Sequence, residues 1–135
     1  MKLKDSEIDI KLKLSSLWGT LMALYIYGDY FELYTPNKVS DLLEGNNILD
    51  SPLKLFLAAL MLALPAWMIA LSILLRPKLN RWLNIIFGFL LTLVVVLVGS
   101  SSIGAWHSFY VFYALLEAVV TTSIVYLAWK WPKEI

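Results

Sequence analysis

The chain has 135 residues, 60% of them hydrophobic, and a mean hydropathy of +0.73, far above an ordinary soluble domain of this size. A net charge of +1 and a pI near 7.9 exclude whole-molecule attraction to nucleic acid. The absence of cysteine excludes disulfides, thiolate nucleophiles and cysteine-ligated metals.

Residues 1–13 alternate charged and apolar positions and read as a solvated or interfacial lead-in. A first span runs over residues 14–34, charge-free from Leu14 to Gly28 and ending in the polar stretch DYFELY. Lysines precede it as they precede a signal peptide, but no small-residue cleavage pattern follows, so it reads as a retained span. In TPNKVSDLLEG, Thr35 can cap, Pro36 suits a first helical position and Gly45 can terminate, which predicts a short interfacial helix.

A second span covers residues 52–75, with Asp50 or Ser51 as cap, Pro52 as its first residue and a kink expected at Pro65. Ala59, Ala63, Ala66 and Ala70 recur at steps of four, three and four, a small-residue stripe suited to close helix contact. A tight turn at Arg76–Lys78 leads to a third span over residues 80–98, whose LLTLVVVLV stretch is expected to face lipid for most of its length. GSSSIG reads as a flexible polar connection, and a fourth span follows over residues 106–131. Trp82, Trp106, Trp129 and Trp131 lie near the predicted span ends, where amphipathic rings sit at headgroup level.

Lysine and arginine counts set the orientation. Lys2, Lys4, Lys11, Lys13, Arg76, Lys78, Arg81, Lys130 and Lys133 lie on one side of the four spans, and only Lys38 and Lys54 on the other. The basic side is expected to be cytoplasmic. The whole reads as one all-α domain, residues 1–135, an integral membrane four-helix bundle with both termini inside and the lipid bilayer as its main partner.

Chemistry is concentrated in three acids. At about 1.5 Å per residue, Asp29 is roughly 24 Å from the inner boundary at Lys13, and Glu117 is about 15 Å in from His107, close to the midplane. A carboxyl there costs about 2.5–3.5 kcal/mol of insertion free energy, so Glu117 must face the interior, find a partner or keep its proton. Trp106, Tyr110, Tyr113, Glu117 and Thr121 share one helical face, as do Trp18, Met22, Tyr25, Asp29 and Glu32. If the two stripes meet, they line a pocket open to the outer side, with Glu117 at its floor and Asp29, Glu32 and His107 near its mouth.

The expected ligand set is therefore Asp29, Glu32, Glu117, Tyr25, Tyr110, Tyr113 and His107. Carboxylates among aromatic rings suit a small amphipathic cation, bound or transported; tyrosine and histidine hydrogen bonds suit a lipid, sterol or quinone head group. A second reading makes the chain a structural or regulatory membrane subunit, with the acids as interhelical hydrogen-bond partners and the alanine stripe as association face; homo-oligomers stay open. A lipid- or quinone-modifying enzyme is third. No catalytic residue, metal site or cofactor is expected, since glycine phosphate loops, histidine pairs at metal spacing and a nucleophile with a base are all missing from the sequence.

The stretch KLSSLWGTLMALYIYGDYFELYTP, with a proline in the second span and a glutamate in the fourth, resembles bacterial four-span membrane proteins of the domain-of-unknown-function family 6326. That likeness covers nearly the whole chain, implies a bacterial inner-membrane protein and brings no activity with it. In layout alone the chain is also similar to the sterol-isomerase and sigma-two-receptor-like four-helix fold. That fold places an acid late in its first span and a pocket for amines or sterols, but its catalytic histidine and paired glutamates have no match here. Small multidrug exporters share the size and a membrane glutamate, theirs in the first span.

Overall fold

A computed structural model describes residues 2–101 and 104–133. Its elements are α1 (Ile10–Glu32), α2 (Lys38–Leu43), α3 (Pro52–Leu74), α4 (Pro77–Ser101), a single 3-10 turn (Ala105–His107) and α5 (Ser108–Trp129). The four long helices run alternately up and down, and one end of the bundle gathers the N-terminal segment, the turn at residues 75–76 and the C-terminal tail. The opposite end, the loop end, carries α2 and the 3-10 turn.

Three helical segments, Pro52–Leu74, Pro77–Ser101 and Ala105–Trp129, are long and apolar enough to cross a membrane. At 23 residues α3 is about 35 Å long, sufficient for a hydrocarbon layer of about 30 Å. α1 is equally long but carries Lys11, Lys13, Asp29 and Glu32.

Local chemistry explains the boundaries. Asp9 Oδ1 accepts from the Lys11 N–H at 2.8 Å and caps α1. Ser51 Oγ accepts from the Lys54 N–H at 3.2 Å, Pro52 begins α3, and Asp50 pairs with Lys54 Nζ at 2.8 Å. Thr35 does not cap α2: its hydroxyl donates back to the Glu32 carbonyl at 2.7 Å, closing α1, while Asn37 in the left-handed region (φ 66°) is the residue before α2. Gly99, Ser100 and Ser101 continue α4 where a flexible connection was expected. The two hydroxyls bond the carbonyls of Leu97 and Val98, so the polar side chains are absorbed by the helix's own backbone. Residues 102 and 103 of that connection lie outside the described residues.

α1 packs against α3 on one side and α5 on the other, and α4 packs along α5, the most extensive pairing. α3 and α4, though joined by a short turn, touch far less. The core of Leu14, Trp18, Leu21, Met68, Val120 and Ile124 lies toward the end that carries the termini, with Leu91 of α4 completing it. α4 turns most of its apolar side chains outward, Phe89, Leu90, Leu93, Val96 and Leu97 among them, and buries a single stripe. Asn80, Asn84, Gly88, Leu91 and Val95 are buried at steps of four, four, three and four, one full stripe. The close α4–α5 approach rests on glycine: a Cβ on Gly88 would stand 2.9 Å from Val125 Cγ2, and one on Gly99 2.9 Å from Ala114 Cβ.

A buried polar network locks the same end. Trp18 Nε1 donates to Asn84 Oδ1 at 2.7 Å, Asn84 Nδ2 donates to Asn80 Oδ1 at 2.7 Å, and Asn80 Nδ2 donates to the Ser72 carbonyl at 2.7 Å. Ser15 Oγ donates to the Ile69 carbonyl at 2.7 Å, and Arg81 Nε to that of Ala128 at 3.0 Å. These bonds join α1 to α3 and α4, and α4 to α5, at this one end of the bundle.

Every side-chain hydrogen bond that ties α3 to another element, among the described residues, falls at residue 69 or later. Before Pro65, no α3 residue is buried. Pro65 has no N–H for the Met61 carbonyl, which weakens the helix at the border between its anchored and unanchored halves.

Candidate ligand-binding site

The unanchored half of α3 stands over a cavity of about 290 Å³ toward the loop end. Its α1 and α5 wall is formed by Tyr25, Asp29, Tyr110, Tyr113, Ala114 and Glu117, with Gly28 between. Gly28 is where Tyr113 closes over α1: a Cβ there would meet the ring edge at 3.5 Å. The other wall, from α3 and α4, is wholly apolar, formed chiefly by Ala58, Met61, Leu62, Val94, Val95 and Val98.

Five of the seven residues singled out in the sequence therefore share this cavity, because a three- and four-residue step keeps Tyr110, Tyr113 and Glu117 on one face of α5 and Tyr25 and Asp29 on one face of α1. Glu117, Tyr25 and Tyr110 are half-buried, and Asp29 is exposed at the loop end. Glu117 makes no side-chain hydrogen bond to any described residue, nor do Tyr25, Tyr110 and Tyr113. The cavity thus holds a carboxyl group and three phenols whose hydrogen-bonding capacity is unspent.

Glu32 and His107 stand apart from it and face one another. His107 Nε2 and Glu32 Oε1 are 3.3 Å apart, joining the end of α1 to the 3-10 turn, and the other Glu32 oxygen is buried with no hydrogen-bond partner among the described residues. Beside them a more open hollow of about 310 Å³ is lined by Phe31, Tyr34, Thr35, Trp106, Phe109 and Tyr113. Tyr113 borders both spaces. Among the described residues, no three histidine, aspartate or glutamate side chains gather as metal ligands would.

The two stripes are split by their surroundings. Trp18 leaves its acidic neighbours to bond Asn84, and Thr121 accepts from Thr92 Oγ1 at 2.7 Å. Both partners belong to α4; for Asn84 the sequence carries a signal, Asn80 and Asn84 one turn apart in a largely apolar segment, two amides that need partners once buried. The alanine stripe of α3 is divided as well, with Ala63 and Ala70 half-buried and Ala59 and Ala66 exposed.

A helical bundle with three membrane-length helices and an acidic, aromatic cavity between them defines the class: an all-α protein of membrane character. The chain belongs to a family of unknown function, DUF6326, whose model matches residues 1–135. No curated protein and no solved structure matches it.

Proposed function

We propose that this is a four-span protein of the bacterial inner membrane, with α1 as the additional span and both termini cytoplasmic, that binds or transports a small amphipathic molecule carrying a positive charge. The basic residues at the end bearing the termini support the orientation, and the packing of α1 between α3 and α5 supports its place in the membrane. The observation that carries the ligand class is the shared cavity of Glu117, Asp29, Tyr25, Tyr110 and Tyr113. Phenol faces attract a cation, and a carboxylate partners it directly in a space of low dielectric. Glu117 can hold a proton when the cavity is empty of cations and release it when one arrives, which is the exchange that proton-coupled transport needs.

The rival reading treats the acids as interhelical links. It is disfavoured by the absence of any hydrogen bond from Glu117 to a described residue, while the linking role is filled at the other end by Trp18, Asn80 and Asn84. The test is thermal unfolding of purified protein in the presence of amphipathic amines. Wild-type protein is expected to be stabilised, and Glu117→Gln to lose that stabilisation while still folding. Wild-type protein indifferent to every amine in a broad panel would overturn the proposal.

A further inference from the structure

We infer that the ligand of this cavity is a single-tailed amine whose aliphatic chain leaves the protein sideways, between the loop-end halves of α3 and α4, into the bilayer. The inference rests on the reading of the cavity as a cation site and adds the shape of the ligand and its route. Three observations carry it. The cavity walls are chemically opposite: acids and phenols on α1 and α5, aliphatic side chains alone on α3 and α4. A ligand satisfying both must be charged at one end and apolar at the other, and the apolar end points away from Glu117.

The aliphatic wall is also incomplete. Met61 and Leu62 of α3 and Val98 of α4 border the cavity yet remain 46%, 40% and 39% exposed. In a membrane, the medium reaching such a gap is lipid rather than water, so an alkyl chain continues from the cavity into acyl chains without meeting a polar group. Finally, the two helices are held together only beyond this gap. Asn80 ties α4 to Ser72 and Leu75, whereas no α3 residue before Pro65 is buried and no side-chain hydrogen bond reaches that half from another element, among the described residues. Gly88 and Gly99 keep α4 against α5, so widening of the gap falls to α3. An opening at Asp29 remains for the head group and for protons.

The natural absence of cysteine makes the test direct. Met61→Cys and Val94→Cys place single thiols on the two sides of the gap, and Leu115→Cys, 64% exposed on α5 and away from the cavity, serves as the lipid-facing reference. In proteoliposomes, a lipid-soluble maleimide is expected to label all three. Dodecylamine should slow labelling at Met61→Cys and Val94→Cys by fivefold or more and leave Leu115→Cys unchanged. Dodecanol, with the same tail and no charge, should protect none, and butylamine should stabilise the protein thermally without protecting either gap position. Protection by dodecylamine absent at both gap positions, with amines still stabilising the wild-type protein, overturns the lateral route and leaves the cation site standing. Failure of every amine to stabilise the wild-type protein overturns both.

Discussion

The indole N–H of Trp18 donates to the Asn84 side-chain oxygen at 2.7 Å, and both residues are fully buried. That bond joins α1 to α4, two helices without extensive backbone contact, through the middle of the bundle. Asn84 also bonds Asn80 and accepts from Ser72 Oγ at 3.4 Å, so one amide serves three elements. Asn84→Ala strands the Trp18 donor and the Asn80 oxygen together, and is expected to destabilise the fold by about 2 kcal/mol. Trp18→Phe, which removes one donor and part of a ring, should cost about 1–2 kcal/mol, of which the bond itself is the smaller share. Denaturant unfolding in mild micelles measures both; an Asn84→Ala protein as stable as wild type would mean that the network contributes nothing.

Glycine spacing sets how near α4 lies to α5. Gly99→Ala brings two methyl groups to 2.9 Å, and neither can swing away because each is a Cβ fixed to backbone. The helices must part, at an expected cost of about 1–3 kcal/mol. Gly19→Ala meets nothing within 4 Å in α1 and should instead be neutral or stabilising by up to about 1 kcal/mol through helix propensity. Opposite signs for the two substitutions in one unfolding assay are the predicted result.

Arg81 lies between two indoles, its guanidinium 5.4 Å from the ring centroids of Trp82 and Trp129, and donates to the carbonyls of Ala128 and Trp129 at 3.0 and 3.3 Å. Those carbonyls close the last turn of α5, that of Ala128 also accepting from the Trp131 N–H at 3.2 Å, and a planar fork reaches both at once. Arg81→Lys keeps the charge and loses the fork and the stacking, so it is expected to cost about 1 kcal/mol. Hydrogen exchange should show the last turn of α5 fraying first, with the loop end unaffected.

Glu117 is a carboxyl with no hydrogen bond to a described residue in a largely apolar cavity, an arrangement that costs stability in the absence of ligand. Glu117→Leu is therefore expected to raise the thermal stability of the apoprotein by about 1 kcal/mol while abolishing amine-dependent stabilisation. Loss of stability on this substitution would show instead that the carboxyl links helices.

The length and apolarity of the runs, and the charges that end them, were enough to read an all-helical chain. A backbone in hydrocarbon must satisfy its own hydrogen bonds, and the helix does so locally. Helical period likewise put Tyr110, Tyr113 and Glu117 on one face and Tyr25 and Asp29 on another before any packing was known. Period says which side chains share a face; it does not say what the face meets. That Trp18 and Thr121 turn to α4, that Glu32 and His107 pair outside the cavity, and that the first half of α3 buries no residue were decided by tertiary contacts among residues far apart in the chain. The polar lock sits at one end of the bundle, where Asn80 and Asn84 find partners on α1 and at the end of α3, and the cavity lies at the other end, where no side-chain hydrogen bond among the described residues ties α3 to another element.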